Sequence, residues 1–286
     1  MANLLFAFPN LADDAVLSNG SYVSRLPRSN VQDDRIHKVA RTLTTATVDT
    51  VMDADIGTSR VIRMFSVLAH NLSLPATIRV RGGDDSSFAT FNFDTGFIRA
   101  YELVYPSKVL SWGDAGLWDG RLGAAEIAAG VPAAINIVIN PIDKGRYWRF
   151  EVSDVTNPLG YVEFGKLIIS PGYTPSINMK RGVTMGYQTT STSTETDGGA
   201  IFHNPRVRRR EFTFTVPNIP EGEAWVKLFD IPRDRGTSEP LLAVYDPEDT
   251  FLLDRRTVWG TLRRLSPLQV PFASHAEASF ALVEEL

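Results

Sequence analysis

The 286-residue chain contains no cysteine. That excludes disulfides and thiolate metal sites, and it suits a protein assembled inside a cell better than a small secreted module. Histidine is scarce too. His37, His70, His203 and His275 are the four present, and no two are close in sequence. No HExxH, no GxSxG and no phosphate-binding glycine loop ending in Lys-Ser/Thr occurs. The histidines therefore read as structural or surface residues. No apolar run approaches the ~20 residues of a membrane span. The stretch from Leu4 to Phe8 is apolar but has no basic segment before it and stops at Pro9, so it reads as a first strand rather than a signal peptide. Neither sign of charge dominates: 29 basic residues stand against 33 acidic ones, for a net charge of −4. Such a balance exerts no global pull on nucleic acid or an anionic membrane, and neither is expected as a partner.

Catalytic carboxylates are also hard to find. Asp13-Asp14, Asp33-Asp34 and Asp84-Asp85 are adjacent pairs, and neighbours on a strand point to opposite faces. Asp84-Asp85 follows Gly82-Gly83 and reads as a solvated turn ahead of a calcium loop. No cofactor, no metal and no enzymatic turnover is expected, only binding.

What the chain does contain is strand patterning. From Arg146 to Asp154, Trp148, Phe150 and Val152 alternate with Arg149, Glu151 and Ser153, the period of two of a half-buried antiparallel strand. Asn157-Pro158-Leu159-Gly160 supplies a turn. Gly160 to Ile169 reads as a second strand, a partner to the first, in which Val162 and Phe164 hand over to Leu167 and Ile169 across a bulge at Gly165. Arg149, Glu151 and Glu163 are expected at solvated or interface positions. Arg60 to His70, Ala76 to Gly82 and Ala134 to Asn140 add further strands, with Ile78 and Val80, and Ile135, Ile137 and Ile139, facing inward. Residues 121–130 could form a short helical turn between glycines.

Composition shifts after Pro171-Gly172, which places a boundary there: a β-sandwich over 1–172 and a second β module over 173–286. Thr189 to Gly199 is polar and of low complexity, either a mobile loop or an edge that orders only against a partner. Beyond it Phe212, Phe214 and Val216 alternate with Glu211, Thr213 and Thr215. Trp225–Ile231, Leu241–Tyr245, Thr257–Leu265 and Ala278–Val283 read as further strands.

Two clusters could carry recognition. Trp112 and Trp118, flanked by Asp114 and Asp119, have the chemistry to stack on a sugar ring and bond its hydroxyls. The alternative is that both indoles plug the end of the sandwich. Arg206, Arg208 to Arg210, Arg255-Arg256 and Arg263-Arg264 form a locally basic set. With acidic residues interspersed, charge-paired faces or a subunit interface are expected over nucleic acid.

Over 146–169, and in Asp55-Ile-Gly57 followed by the strands at Val61 to Asn71 and Ala76 to Gly82, the first half resembles discoidin-type, galactose-binding-like domains. The resemblance implies a jelly-roll sandwich over about 1–172 and a site in its loops, and it transfers no binding residue. Gly236 to Pro247, Trp259 to Leu262 and Phe280 to Leu286 resemble the ends of tail and baseplate proteins of tailed bacteriophages. That resemblance implies a structural protein of a phage tail tip or baseplate: a virion component assembled in the bacterial cytoplasm, docked to other tail proteins in a ring of like subunits. A carbohydrate-binding module recognising a bacterial surface glycan outside a virion is the competing reading.

Overall fold

The structure is a computed structural model that describes residues 3–101, 103, 105, 111–113, 120–121, 134–249, 251–272 and 274–286. The helical turn expected over 121–130 falls almost wholly outside them. The protein is all-β, its sheets are antiparallel, and the chain divides into two compact units. One comprises Met1–Thr174 with Val244–Thr257, the other Pro175–Ala243 with Val258–Leu286. Among the described residues no helix is long and apolar enough to cross a membrane.

The first unit is organised by one long ribbon. Leu5–Ala7 (β1), Val16–Ser18 (β2) and Ala40–Arg41 (β3) precede Met52–Leu68 (β4). Thr77–Gly83 (β5), Phe93–Asp94 (β6) and Ile98–Arg99 (β7) then lead to Ala134–Ser153 (β8), followed by Glu163–Phe164 (β9) and Lys166–Ser170 (β10). β4 and β8 pair from Met52↔Phe150 at one end to Leu68↔Ala134 at the other. In a straight ribbon Phe65 would lie about 43 Å from the Met52–Phe150 pair, at ~3.3 Å per residue. Instead the rings of Phe65 and Phe150 are 5.8 Å apart. The ribbon is therefore folded over on itself, and register shifts between Asp55 and Arg60 and between Ile62 and Met64 supply the bend. Its two halves enclose the core, where Phe65, Val67, Ile78, Val80, Trp148, Phe150 and Val152 meet Val162, Phe164, Leu167 and Ile169.

Two expectations about this region are corrected. The runs at 146–154 and 160–169 are not hydrogen-bonded to each other: β8 lies between β4 and β5, β9 pairs with β3, and β10 pairs with β4. Gly165 is thus not a bulge but the point where the chain leaves one sheet for another. Its N–H donates to the Leu68 carbonyl at 2.9 Å, and a Cβ there would sit 2.5 Å from the Ile36 carbonyl oxygen. Only glycine passes so close to a second backbone.

The outward face of the β4–β8–β5 sheet is not solvated either. Arg149 pairs bidentately with Asp53 (2.6 and 2.7 Å), Arg81 with Glu151 (2.7 Å) and Arg79 with Asp94 (2.8 and 2.6 Å). The Arg149 and Asp53 side chains are only 19% and 10% exposed. The cause is the loop after β5. Asp85 accepts hydrogen bonds from the N–H groups of Ser87, Ala89 and Thr90, and the bonds from the Ser87 N–H and hydroxyl and the Thr90 N–H hold its carboxyl down at about 2. The turn so formed folds the buried Phe88 over Arg149, 4.2 Å from ring centroid to guanidinium. Glu163 pairs with Arg41 at 2.6 Å.

The second unit is a sheet in the order β15-β16-β18-β14-β11, with β17 also on β18. Its strands are Thr184–Gln188 (β11), Arg209–Pro220 (β14), Leu241–Val244 (β15), Thr257–Leu262 (β16), Gln269–Phe272 (β17) and His275–Glu284 (β18). Thr192–Glu195 (β12) and Ile201–Asn204 (β13) form a separate hairpin. Phe212, Phe214 and Val216 are buried, and Phe214 stacks on Phe280 at 5.5 Å. At least four of the eight arginines of the basic set are ion-paired: Arg210 with Glu284, Arg209 with Glu285, Arg256 with Asp249 and Arg263 with Glu211. Trp225–Ile231 is not a strand. Residues 221–235 are helical, burying Ala224, Leu228 and Ile231. Those three are spaced by four and three, the helical interval, and Gly236, at φ 55°, ends the segment.

Candidate functional site

On the N-terminal half of β8 the period of two sets Ile135, Ile137 and Ile139 against the core and turns Asn136, Val138 and Asn140 the other way. Asn136 lies opposite Ser66 on β4, and the Ser66 hydroxyl donates to its Oδ1 at 2.7 Å. The amide nitrogen is buried and has no partner among the described residues, and the residue is 6% exposed. A buried amide N–H left unpaired costs ~1–3 kcal/mol. That cost marks Asn136 as a position where a hydrogen-bonding group from outside the fold would stabilise the protein.

Asn136 lines a cavity of about 490 Å³ in the first unit. β7 contributes Ile98 and Arg99, and the chain beyond it Tyr101, Leu103 and Arg121. The far wall is Pro247, Glu248 and Leu253, from the segment that joins this unit late in the sequence. Two backbone bonds hold that segment: Tyr245 N–H to the Arg256 carbonyl (2.9 Å) closes it as a loop, and Leu252 N–H to the Leu103 carbonyl (3.1 Å) docks it. Tyr101 is a fixed wall. Its hydroxyl donates to the Leu72 carbonyl at 2.6 Å, its ring meets His70 edge-on at 5.4 Å, and burial pushes its phenol up to about 12. Arg121 donates to the Tyr101 carbonyl. Arg99, Asn140 and Glu248 are exposed at the rim.

The cavity falls in the size range of small-molecule sites, ~300–1,000 Å³. Its lining offers guanidinium and amide donors, one carboxylate acceptor and apolar surface from Ile98, Val138 and Leu253. That combination suits a neutral, hydroxyl-rich ligand. A carboxylate accepts from a diol, amides and guanidinium donate to ring and hydroxyl oxygens, and the apolar side chains cover C–H faces. Among the described residues no cluster of three or more His, Asp or Glu is placed to hold a metal ion.

Of the four residues expected at a sugar site, Trp112 is 86% exposed, so it does not plug the sandwich, and it is not among the residues lining this cavity. Asp114, Trp118 and Asp119 lie outside the described residues. Asn136, Asn140, Arg99 and Glu248 were missed by sequence reasoning. The first two carry a signal that could have been used: asparagines four apart on a strand share one face, here the face opposite an isoleucine ladder.

No family model and no curated protein matches the chain. Solved structures similar to part of the chain include carbohydrate-binding modules. A fucose binding module of Streptococcus pneumoniae is 9% identical, covers 57% of this chain and 95% of its own, and has a TM-score of 0.36. The family 32 carbohydrate-binding module of Clostridium perfringens NanJ, in complex with galactose, is 7% identical over 58% and 98%, with a TM-score of 0.36. The lectin domain of lectinolysin complexed with Lewis B antigen is 11% identical over 57% and 96%, with a TM-score of 0.36. At such identities these likenesses place no ligand on this chain.

Proposed function

We propose that the N-terminal sandwich binds a neutral carbohydrate, without turnover, in the cavity between β8, β7 and the Pro247–Leu253 wall. Asn136, which lines the cavity and whose buried amide nitrogen has no partner among the described residues, carries the proposal. A sugar hydroxyl or ring oxygen supplies the acceptor it lacks, while Glu248 and Arg99 select hydroxyl geometry from the rim. Saturation-transfer NMR and calorimetry with a panel of galactose, fucose, N-acetylgalactosamine and glucose test it. One sugar is expected to bind in preference to the others. Asn140→Ala and Glu248→Ala, at exposed positions, are expected to weaken it roughly tenfold each, as the loss of ~1.4 kcal/mol would. Binding by none of the panel, or undiminished binding by both variants, would refute the site. Loss of binding in Trp112→Ala alone would instead favour the indole site expected from the sequence.

The second reading is a structural protein of a phage tail tip or baseplate that contacts other virion proteins and contributes to host-surface binding. Its favouring observation is the β12–β13 hairpin, exposed along its whole length and bearing Ile201 and Phe202. Negative-stain images of virions labelled against this chain test it, and absence from the particle would remove it.

A further inference from the structure

β11 is the end strand of the second unit's sheet, with β14 on one side. The chain runs from β11 through Thr189–Ser191 into β12 and from β13 back into β14, and the Arg206 N–H donates to the Ser191 hydroxyl at 2.8 Å across the two runs. One outer edge therefore runs from Thr184 to Glu195, and every residue from Thr189 to Arg208 is exposed. A two-stranded hairpin with nothing against either face is marginal in water. Open edges are normally blunted by charges, proline or bulges. From Thr184 to Thr194 this edge carries no charge and no proline, only Thr, Ser, Gln, Gly, Met and Tyr. Met185 is 43% exposed and Tyr187 76%.

The ends of the edge differ in sign. Lys180 and Arg181 precede it and Glu195 and Asp197 close it, all exposed and without an ion-pair partner among the described residues. A strand that is basic at one end and acidic at the other matches its own copy only when the two run antiparallel.

We propose that two copies of this chain pair edge to edge. Thr184–Thr194 would lie antiparallel to the same stretch of the second copy, about a two-fold axis at Thr189, so that opposed residues share a face of the sheet. In this register Tyr187 lies opposite Ser191 and Met185 opposite Ser193. Asp197 of one copy falls opposite Arg181 of the other, beside its Lys180, and the two-fold repeats the contact at the far end. The pairing gives each hairpin a third strand and uses up the open edge, so assembly stops at two.

Sedimentation velocity and light scattering of the full chain test the proposal. The expected mass at micromolar concentration is twice the 31.6 kDa of one chain. Tyr187→Lys with Ser191→Lys sets four ammonium groups across the axis and is expected to give single chains with unchanged far-ultraviolet circular dichroism and melting. At low salt, Arg181→Glu is expected to weaken the pair, and Arg181→Glu with Asp197→Lys to restore it. A single-chain mass for the native protein, a pair that survives the double-lysine variant, an assembly larger than two, or no rescue by the charge swap would each overturn it.

Discussion

Lys166 has an ammonium group with no exposed side-chain surface, held by Asp13 (2.6 Å), Asp34 (2.7 Å) and the Gln32 carbonyl (2.9 Å). Replacing it with methionine keeps most of the volume and removes the charge. Two carboxylates and a carbonyl then face one another with nothing between them. Removing one partner of a fully buried ion pair costs ~3–5 kcal/mol. Here Asp13 and Asp34 are 28% and 35% exposed and can rehydrate, so the expected loss is about 2–3 kcal/mol. For a unit of this size, at ~2–4 °C per kcal/mol, that is a fall in melting temperature of about 4–12 °C. Urea titration followed by tryptophan fluorescence reads the loss directly. Because the ammonium is buried, the deficit is expected to persist in molar salt. Adding Asp13→Asn and Asp34→Asn to Lys166→Met removes the stranded charges and is expected to recover most of the loss. A single variant that unfolds at the native urea midpoint, or a triple variant that recovers nothing, would show that the cluster is not what fixes the 8–15 and 28–36 segments onto β10.

Three further outcomes follow from the packing. His70 is buried against Tyr101 with its pKa pushed down to about 4 by desolvation. The unfolded chain therefore takes up a proton near pH 6.5 that the folded one refuses, and stability is expected to fall by about 3 kcal/mol as pH drops from 6.5 to 4. Urea melts across that range check it, and a flatter profile for His70→Gln assigns the proton. Gly165→Ala drives a Cβ into the carbonyls of Ile36 and Leu68 and is expected to cost ~1–3 kcal/mol by denaturant titration. Arg149→Met leaves the 10%-exposed Asp53 carboxylate with only the Asn19 amide as a side-chain donor among the described residues and is expected to cost about 2–4 kcal/mol, whereas Arg35→Ala, at the exposed pair with Asp33, is expected to leave melting unchanged.

Alternation made the inner faces of β5, β8 and β14 readable from the chain alone, because a half-buried strand has no other way to satisfy one wet and one dry side. Alternation was silent about what happens on the wet side. Arg149 and Glu151 look solvated in isolation. Only the Asp85-nucleated turn, with Phe88 at its tip, covers them. The helical 221–235 stretch was misread because Trp225, Val226 and Phe229 are apolar but exposed, hiding the interval of Ala224, Leu228 and Ile231. The change of sheet at Gly165 was invisible since inward faces are preserved on both sides of it. The candidate site was half legible. Asn136 and Asn140 stand out on β8, but Glu248 reaches the cavity from more than a hundred residues away, through a topology that no local pattern encodes.

That late wall has a practical side. Dissecting the protein after Thr174 leaves the sandwich its strands but deprives it of Pro247, Glu248 and Leu253, and with them one side of the cavity. Unit 1 cannot be recovered as a contiguous gene fragment. An excision that keeps the cavity needs the 244–257 loop grafted back, by a short bridge or supplied as a synthetic peptide, and a library screened on the simple N-terminal half would sample a cavity left open on that side.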